Sequence, residues 1–388
     1  MIPVAYNLRN LAVRKTTTVA TAAGLGLVVF VFASSLMLAN SIERTLGRSA
    51  KSDVALVLRK GSDAEVASDI EEQQVNLILA SADVARRPDG KPEGLGEIVA
   101  IILLDKNGTD GVSNVQVRGV PEDVLQFRPG TRVIEGRLAQ PGADEAIVGK
   151  AIAGRFKGLT LGSSFELRKN RHMKVVGVFE DGGSSFESEV WADVYAVRTA
   201  FGREGSVSSV RAKLTSPSKF DAFKAAVEQN RQLGFEVIRE SDYYEKQSEG
   251  TSLFIKAMGF LIAVFFSIGA MIGATITMHA SIANRQREIG TLRALGFSKA
   301  SILVSFLLES ILLASIGGII GAIASLGMGF LRFSTVNFAS WSEVVFTFEP
   351  TPGIMISSVL LAVGMGLLGG FFPAIRAARM SPLKAMRG

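Results

Sequence analysis

The chain has 388 residues, of which 48% are hydrophobic and 40 are glycine, with a mean hydropathy of +0.31 and no cysteine. That is too apolar for an ordinary soluble protein and puts a membrane class first. A net charge of +6 would suit a nucleic-acid partner, yet residues 43–250 carry 29 Lys and Arg against 32 Asp and Glu. A nucleic-acid binder needs its basic stripe on a folded domain, so no such partner is expected.

In chain order, residues 1–17 place Val4, Leu8 and Leu11 at helical intervals with Asn7, Arg9, Asn10 and Arg14 elsewhere around the turn. This suits an amphipathic helix lying on membrane lipids, and equally a simple basic topology anchor. Residues 18–42 follow as a first membrane span. Ala39-Asn40-Ser41 resembles a small-residue cleavage site, but the apolar stretch is longer than the 7–15 residues of a signal core, so a retained helix is expected.

Residues 43–250 form a large polar α+β region. Strands are predicted at 53–58, 98–104, 115–120, 146–148, 164–167, 174–179, 209–214 and 235–239, and helices around 64–85 and 217–229. The strands between glycine-rich turns suggest a β-rich insert of about 115–200. Three further spans are predicted at 251–284, 299–332 and 353–377, with a short loop at 333–352 and a tail at 378–388. The uncharged stretches 16–42, 257–284, 310–331 and 353–375 are each close to the ~20 residues a helix needs to cross a bilayer.

Orientation follows from charge. Residues 1–17, 284–300 and 376–388 carry 11 Lys and Arg against Glu288 alone, so both termini and the middle turn are expected in the cytoplasm, and the large domain outside. The lack of cysteine fits an exported domain that folds without disulfides. Inside the bilayer, Gly269 and Gly273, Gly317 and Gly321, and Gly366 and Gly370 form GxxxG pairs suited to close helix packing.

No GxxxxGK[ST] phosphate loop, GxSxG elbow or HExxH pair occurs, so neither a catalytic constellation nor a metal site is expected. His172 and His279 are far apart in sequence and expected on opposite sides of the membrane. Glu71-Glu72 and Glu187 with Glu189 suggest solvated faces. Glu309 interrupts the third span roughly 16 Å of helix beyond Ser298. It is either a functional intramembrane carboxylate or an inner-leaflet residue paired with an Arg or a backbone donor of a neighbouring helix.

Without a nucleotide site or a run of intramembrane charges, a membrane protein must take its driving force from a partner. The charged segment 284–299, NRQREIGTLRALGFSK, is where a partner would hold this one. Ile289, Leu292 and Leu295 are expected to seat a short helix, Gly296 to terminate it, and Ser298 to cap the next. Arg285, Arg287, Glu288 and Arg293 are expected to face water or a docked protein.

At these residues the chain resembles the permease subunits of ABC transporters of the MacB/FtsX, mechanotransmission, type. The matching stretches are REIGTLRALGFSKASILVSFLLES at 287–310, IGGIIG at 316–321 and FFPAIRAARMSPLKAMRG at 371–388, with NLRNLAVRKTTT near the start and EAIVGKAIAGRF, GLTLGSSFEL and KVVGVF in the outer domain. The resemblance implies four transmembrane helices, a MacB-like periplasmic core domain between the first two, and a coupling helix at 285–298. It also implies an inner-membrane subunit that is not itself an enzyme and binds no cofactor. ATP and Mg would be used by a separate dimeric ATP-binding subunit. The permease would pair with a second copy or a paralogue, and for some relatives with a periplasmic adaptor and an outer-membrane channel. Export or extraction of a substrate is the expected activity; the alternative is an FtsX-like transmitter that activates an extracytoplasmic partner such as a cell-wall hydrolase.

Overall fold

The computed structural model describes residues 9, 13, 15–230, 234–337 and 340–381. The expected N-terminal amphipathic helix and the last residues of the tail lie largely outside them. The chain divides into two compact units. One is Ser41–Ser252 with Phe333–Phe346, and the other comprises the apolar helices.

Helix α1 (Lys15–Arg48) opens the chain and is followed by β1 (Val54–Arg59), β2 (Ile70–Glu71), α2 (Glu72–Leu79), β3 (Gly94–Asp105), β4 (Val112–Val120) and the short α3 (Val124–Phe127). Next come β5 (Arg132–Gly136), β6 (Glu145–Gly149), β7 (Ser164–Arg168), β8 (Arg171–Glu180), β9 (Glu189–Asp193), α4 (Val194–Phe201), β10 (Ser206–Val207), β11 (Ser209–Lys213), α5 (Phe220–Glu228) and β12 (Phe235–Arg239). Then follow α6 (Glu240–Asn284), α7 (Gln286–Ala294), α8 (Lys299–Leu326), the hairpin β13 (Arg332–Val336) and β14 (Glu343–Thr347), and α9 (Pro352–Arg379).

In the first unit a ten-stranded sheet runs in the order β12-β1-β11-β3-β4-β9-β6-β8-β5, with β7 on β8. Strand β3 serves both halves. Its Gly94–Glu97 end pairs antiparallel with β11, and from Ile98 onward it pairs with β4. Ile98, Ala100, Ile102 and Leu104 accordingly share a core with Val117, Phe156, Phe165 and Val190. The β-rich part therefore reaches back through β3 and is not delimited at 115. The helix expected over 64–85 is α2 alone, preceded by the 3₁₀ turn Glu65–Ala67 and by β2.

The loop expected at 333–352 contains β14 and most of β13. Val345 joins the β-rich core, Lys106 pairs with Glu343 at 2.6 Å, and Asn337 donates to Gln247 Oε1 at 3.0 Å. The hairpin thus belongs to the sheet unit.

Buried charge holds this unit together. Arg118 on β4 donates to Glu65, Glu97 and Glu189 at 3.0, 2.9 and 2.7 Å. Arg211 on β11 pairs with Glu65 at 2.7 Å, with Glu97, and with Glu240 at the start of α6 at 2.8 Å. All six of these side chains are at most 6% exposed. Glu187 and Glu189 were expected on solvated faces but are buried. Glu189 accepts from Arg118, Gln116 and the Trp191 indole, and Glu187 accepts from the backbone N–H groups of Asp181 and Gly183.

The other unit is built from the apolar helices α1, α6, α8 and α9, each long enough to cross a membrane. Glycine sets how closely they approach. A Cβ on Gly317 would lie 2.4 Å from the Ala22 carbonyl oxygen, and one on Gly321 would lie 2.1 Å from that of Gly26, so α8 crosses α1 almost backbone to backbone. Gly366 and Gly370 do the same for α9 against Ala314 and Ser310 of α8, where Ser310 Oγ donates to the Gly366 carbonyl at 2.7 Å. The pair on α6 differs. Nothing lies within 4 Å of a Cβ built on Gly269 or Gly273, so this GxxxG packs no helix among the described residues.

Two outcomes are expected. Arg211→Met leaves Glu65, Glu97 and Glu240 short of a partner and costs about 3–5 kcal/mol, readable as a lowered denaturation midpoint of the outer domain. Burial alone would raise the Glu65 and Glu97 carboxyls, but the guanidiniums of Arg118 and Arg211 hold Glu65 well below the usual range, and those of Arg211, Arg128 and Arg118 hold Glu97 below it. A depressed folded pKa contributes stability above the unfolded value, which is lost as pH falls through the folded one. The unit is therefore expected to lose thermal stability as pH drops below about 4.3. A flat melting temperature down to that range and beyond would contradict the pairing.

Candidate coupling site

The segment after α6 is a helical turn-around built by local rules. α7 ends at Ala294 with Leu295 as its C-cap, and Gly296 follows at φ +93°. Gly296 N–H reaches the Arg293 carbonyl at 3.2 Å and Phe297 N–H the Leu292 carbonyl at 3.2 Å, the paired bonds of a Schellman stop. Ser298 Oγ then accepts from Ser301 N–H at 3.1 Å and starts α8.

One face of α7 is seated. Ile289 is 1% exposed and packs with Met278 and Ile282 of α6, Ile302 and Phe306 of α8, and Ala374 and Ala377 of α9; Leu292 and Phe297 are packed at the margin. Leu295, expected on the same stripe, is 73% exposed. Six residues beyond Ile289 the helix has turned well away from the buried side, and Leu295, whose N–H still reaches the Thr291 carbonyl at 2.9 Å, is its cap.

Arg285 also departs from its expected place. It is buried, with Nε donating to Glu288 Oε2 at 2.7 Å and Nη1 to Glu309 Oε2 at 2.9 Å. Its guanidinium carbon lies 5.2 Å from the centre of the Phe306 ring. Of the two readings of Glu309, the observed contact is that of a carboxylate paired with the Arg of a neighbouring segment. Burial, and then the Glu309 charge, push the Glu288 carboxyl above its ordinary value. Arg293 is half-buried and donates to the Phe297 carbonyl at 3.0 Å, while Arg287 is exposed. Beside them a groove of about 690 Å³ is lined by Gln286, Phe372, Arg376 and Arg379.

The site therefore presents an exposed cation, an exposed leucine and a basic groove on a short helix that is clamped to the helix bundle. Among the described residues no group of three or more His, Asp or Glu gathers as a metal site.

Comparison with known proteins agrees on the kind of protein. The FtsX-like permease C-terminal model matches residues 260–382. The MacB-like periplasmic core domain model matches residues 17–230, more than half of the chain. The chain belongs to the MacB/FtsX family of ABC transporter permeases.

This MacB/FtsX permease is 26% identical to the macrolide export ATP-binding/permease protein MacB of Bdellovibrio bacteriovorus, over 94% of this chain and 57% of the relative. It is also 26% identical to the ABC transporter permease YknZ of Bacillus subtilis, over 55% of this chain and 54% of the relative. The chain thus spans somewhat over half the length of these relatives. Among solved structures, the periplasmic region of MacB from Actinobacillus actinomycetemcomitans overlays with a TM-score of 0.38 at 13% identity, covering 52% of this chain and 95% of that one. As a member of the family the chain is a multi-pass membrane protein with four transmembrane helices and an extracytoplasmic α+β domain between the first two.

Within this permease, the sequence offered an Arg as one partner for Glu309 but did not single out Arg285, which stands 24 residues away in the turn between α6 and α7. The available signal was one intramembrane carboxylate facing a limited set of nearby arginines. A double-mutant cycle of Arg285→Met and Glu309→Gln is expected to give a coupling of about 1–3 kcal/mol in reversible unfolding from mixed micelles. Strict additivity would mean that the contact does not hold α7 in place.

Proposed function

We propose that this permease couples ATP hydrolysis on a separate ATP-binding subunit, using Mg, to movement of its extracytoplasmic domain, and so exports or extracts a substrate from the membrane or the space beyond it. The observation that carries the reading is α7: clamped through Ile289 and Arg285, it offers Arg287 and Leu295 outward as a coupling helix would. α6 supports transmission, since it runs without a break from Glu240, inside the buried charge network, to Asn284, immediately before Arg285. A push on α7 would reach Glu240, where strand β12 of the outer domain ends, along one helix of 45 residues.

On this reading the α7 end faces the cytoplasm of an inner membrane, in keeping with the basic residues of 284–300 and 376–388. Two permeases, identical or paralogous, work on two ATP-binding subunits. The chain supplies no catalytic group and no cofactor of its own.

Arg287→Glu and Leu295→Asp, both on the exposed side of α7, are expected to leave membrane insertion and thermal stability unchanged. Permease-stimulated ATP hydrolysis by the co-purified subunit should fall at least about ten-fold in each, the equivalent of one lost interfacial contact of ~1.4 kcal/mol. Full stimulation in both variants would overturn the coupling assignment. Stimulation without substrate movement would mark a mechanical transmitter that drives an extracytoplasmic partner.

A further inference from the structure

Two adjoining cavities in the helix bundle differ in polarity and share a wall. The first, about 240 Å³, lies among α1, α6 and α8. Its polar wall includes Thr21, Thr277, Ser281, Asn284 and Glu309, and it has no basic and no aromatic side chain among the described residues. The second, about 410 Å³, runs between α1 and α6 and is lined by Leu27, Val28, Phe266 and the bare backbone of Gly24, Gly269 and Gly273. Thr21, Leu25, Ala274 and Thr277 line both.

The helix rise orders the two along the membrane normal. Asn284 and Thr21 lie toward the α7 end of the bundle, and Phe266 and Val28 lie about 27 Å and about 10 Å further along their helices. The pair is thus polar at the α7 end and apolar toward the bilayer centre. Its polar end holds two buried groups suited to a ligand. Glu309 is 5% exposed and already accepts from Arg285 at 2.9 Å, and Ser281 is 9% exposed with a hydroxyl that has no hydrogen-bond partner. A buried hydroxyl without a partner costs free energy and calls for one.

We propose that the two cavities together bind one phospholipid with a primary ammonium head group, head in the hydroxyl-and-carboxylate cavity and one acyl chain along the glycine groove. Glu309, Thr277 and Asn284 offer acceptors for the three N–H donors of an ammonium, and hydroxyls such as Ser281 donate to phosphate oxygens. A quaternary ammonium has no N–H to give. An anionic head would meet the Glu309 carboxylate, which Arg285 holds from behind at 2.9 Å, and no basic residue in the lining itself. A bare metal ion would fill a small part of 240 Å³, since a water's share of liquid volume is about 30 Å³. The groove explains why the GxxxG of α6 packs no helix: without side chains at Gly269 and Gly273, a chain-shaped ligand has room against the backbone. That the head lies in the cytoplasmic leaflet rests on the orientation proposed above; the site itself does not.

The test uses the full chain in nanodiscs of equal acyl composition containing phosphatidylethanolamine, phosphatidylcholine or phosphatidylglycerol, followed by mild delipidation and native mass spectrometry. Phosphatidylethanolamine is expected to be retained about ten-fold over either competitor, the worth of one charge-assisted hydrogen bond. Glu309→Gln should remove that preference. Because Glu309→Gln also disturbs Arg285, two further variants keep the test decisive: Ser281→Val, which touches no ion pair, and Gly273→Leu, which fills the groove. Both should abolish retention with an unchanged melting temperature. Equal retention of the three lipids, retention unchanged in Ser281→Val and Gly273→Leu, or loss of a permease dimer in Gly273→Leu with lipid retained would each overturn the proposal. No nucleotide enters this measurement, so its failure is separable from failure of the ATPase coupling.

Discussion

Helix α6 is held at both ends by buried guanidinium-carboxylate contacts, and the two units depend on them. At its start, Glu240 takes a hydrogen bond from Arg211, which also binds Glu65 and Glu97. Just past its end, Arg285 reaches Glu309 on α8. A buried charge is costly unless paired, and a pair fixes geometry because removing either partner leaves the other stranded. Each end of the helix therefore has one sharply preferred seat.

The outer unit shows what that requirement does to a sheet. β3, β4, β9 and β11 each contribute a member of the Arg118 and Arg211 network. Registers along four strands must agree for the charges to meet, since a slip of one residue would turn them to the other face. The apolar helices follow a different rule. Water drives no helix association in a bilayer, so close approach through small residues sets the geometry, and Gly317 and Gly321 bring α8 onto α1.

Periodicity exposed the long apolar helices and most strands, because apolar runs and alternation are local properties. The turn after α7 was equally local: Gly296 and Ser298 stand where a helix must stop and another begin. Leu295 departs from the expected stripe because repeated spacing of three carries a side chain around the helix, and it ends up as the exposed cap of α7. The hairpin of β13 and β14 carries little local signal, since a strand pair that short depends on what it packs against. Here that is the β-rich core reached by Val345. Glu189 has the pattern of a surface charge for the same reason, its partners Arg118 and Gln116 lying about 70 residues away.

The sequence by itself determined the membrane class, the four apolar helices, the outer α+β region and the basic segment between α6 and α8, because hydropathy, charge and helix signals act over a few residues. Only the tertiary structure decided that Arg285 turns inward to Glu309, that β3 joins both halves of the sheet, and that Gly269 and Gly273 border an open groove while the other glycine pairs are filled. Those outcomes depend on which distant groups meet in space, where desolvation and close packing choose among arrangements that local pattern leaves equal.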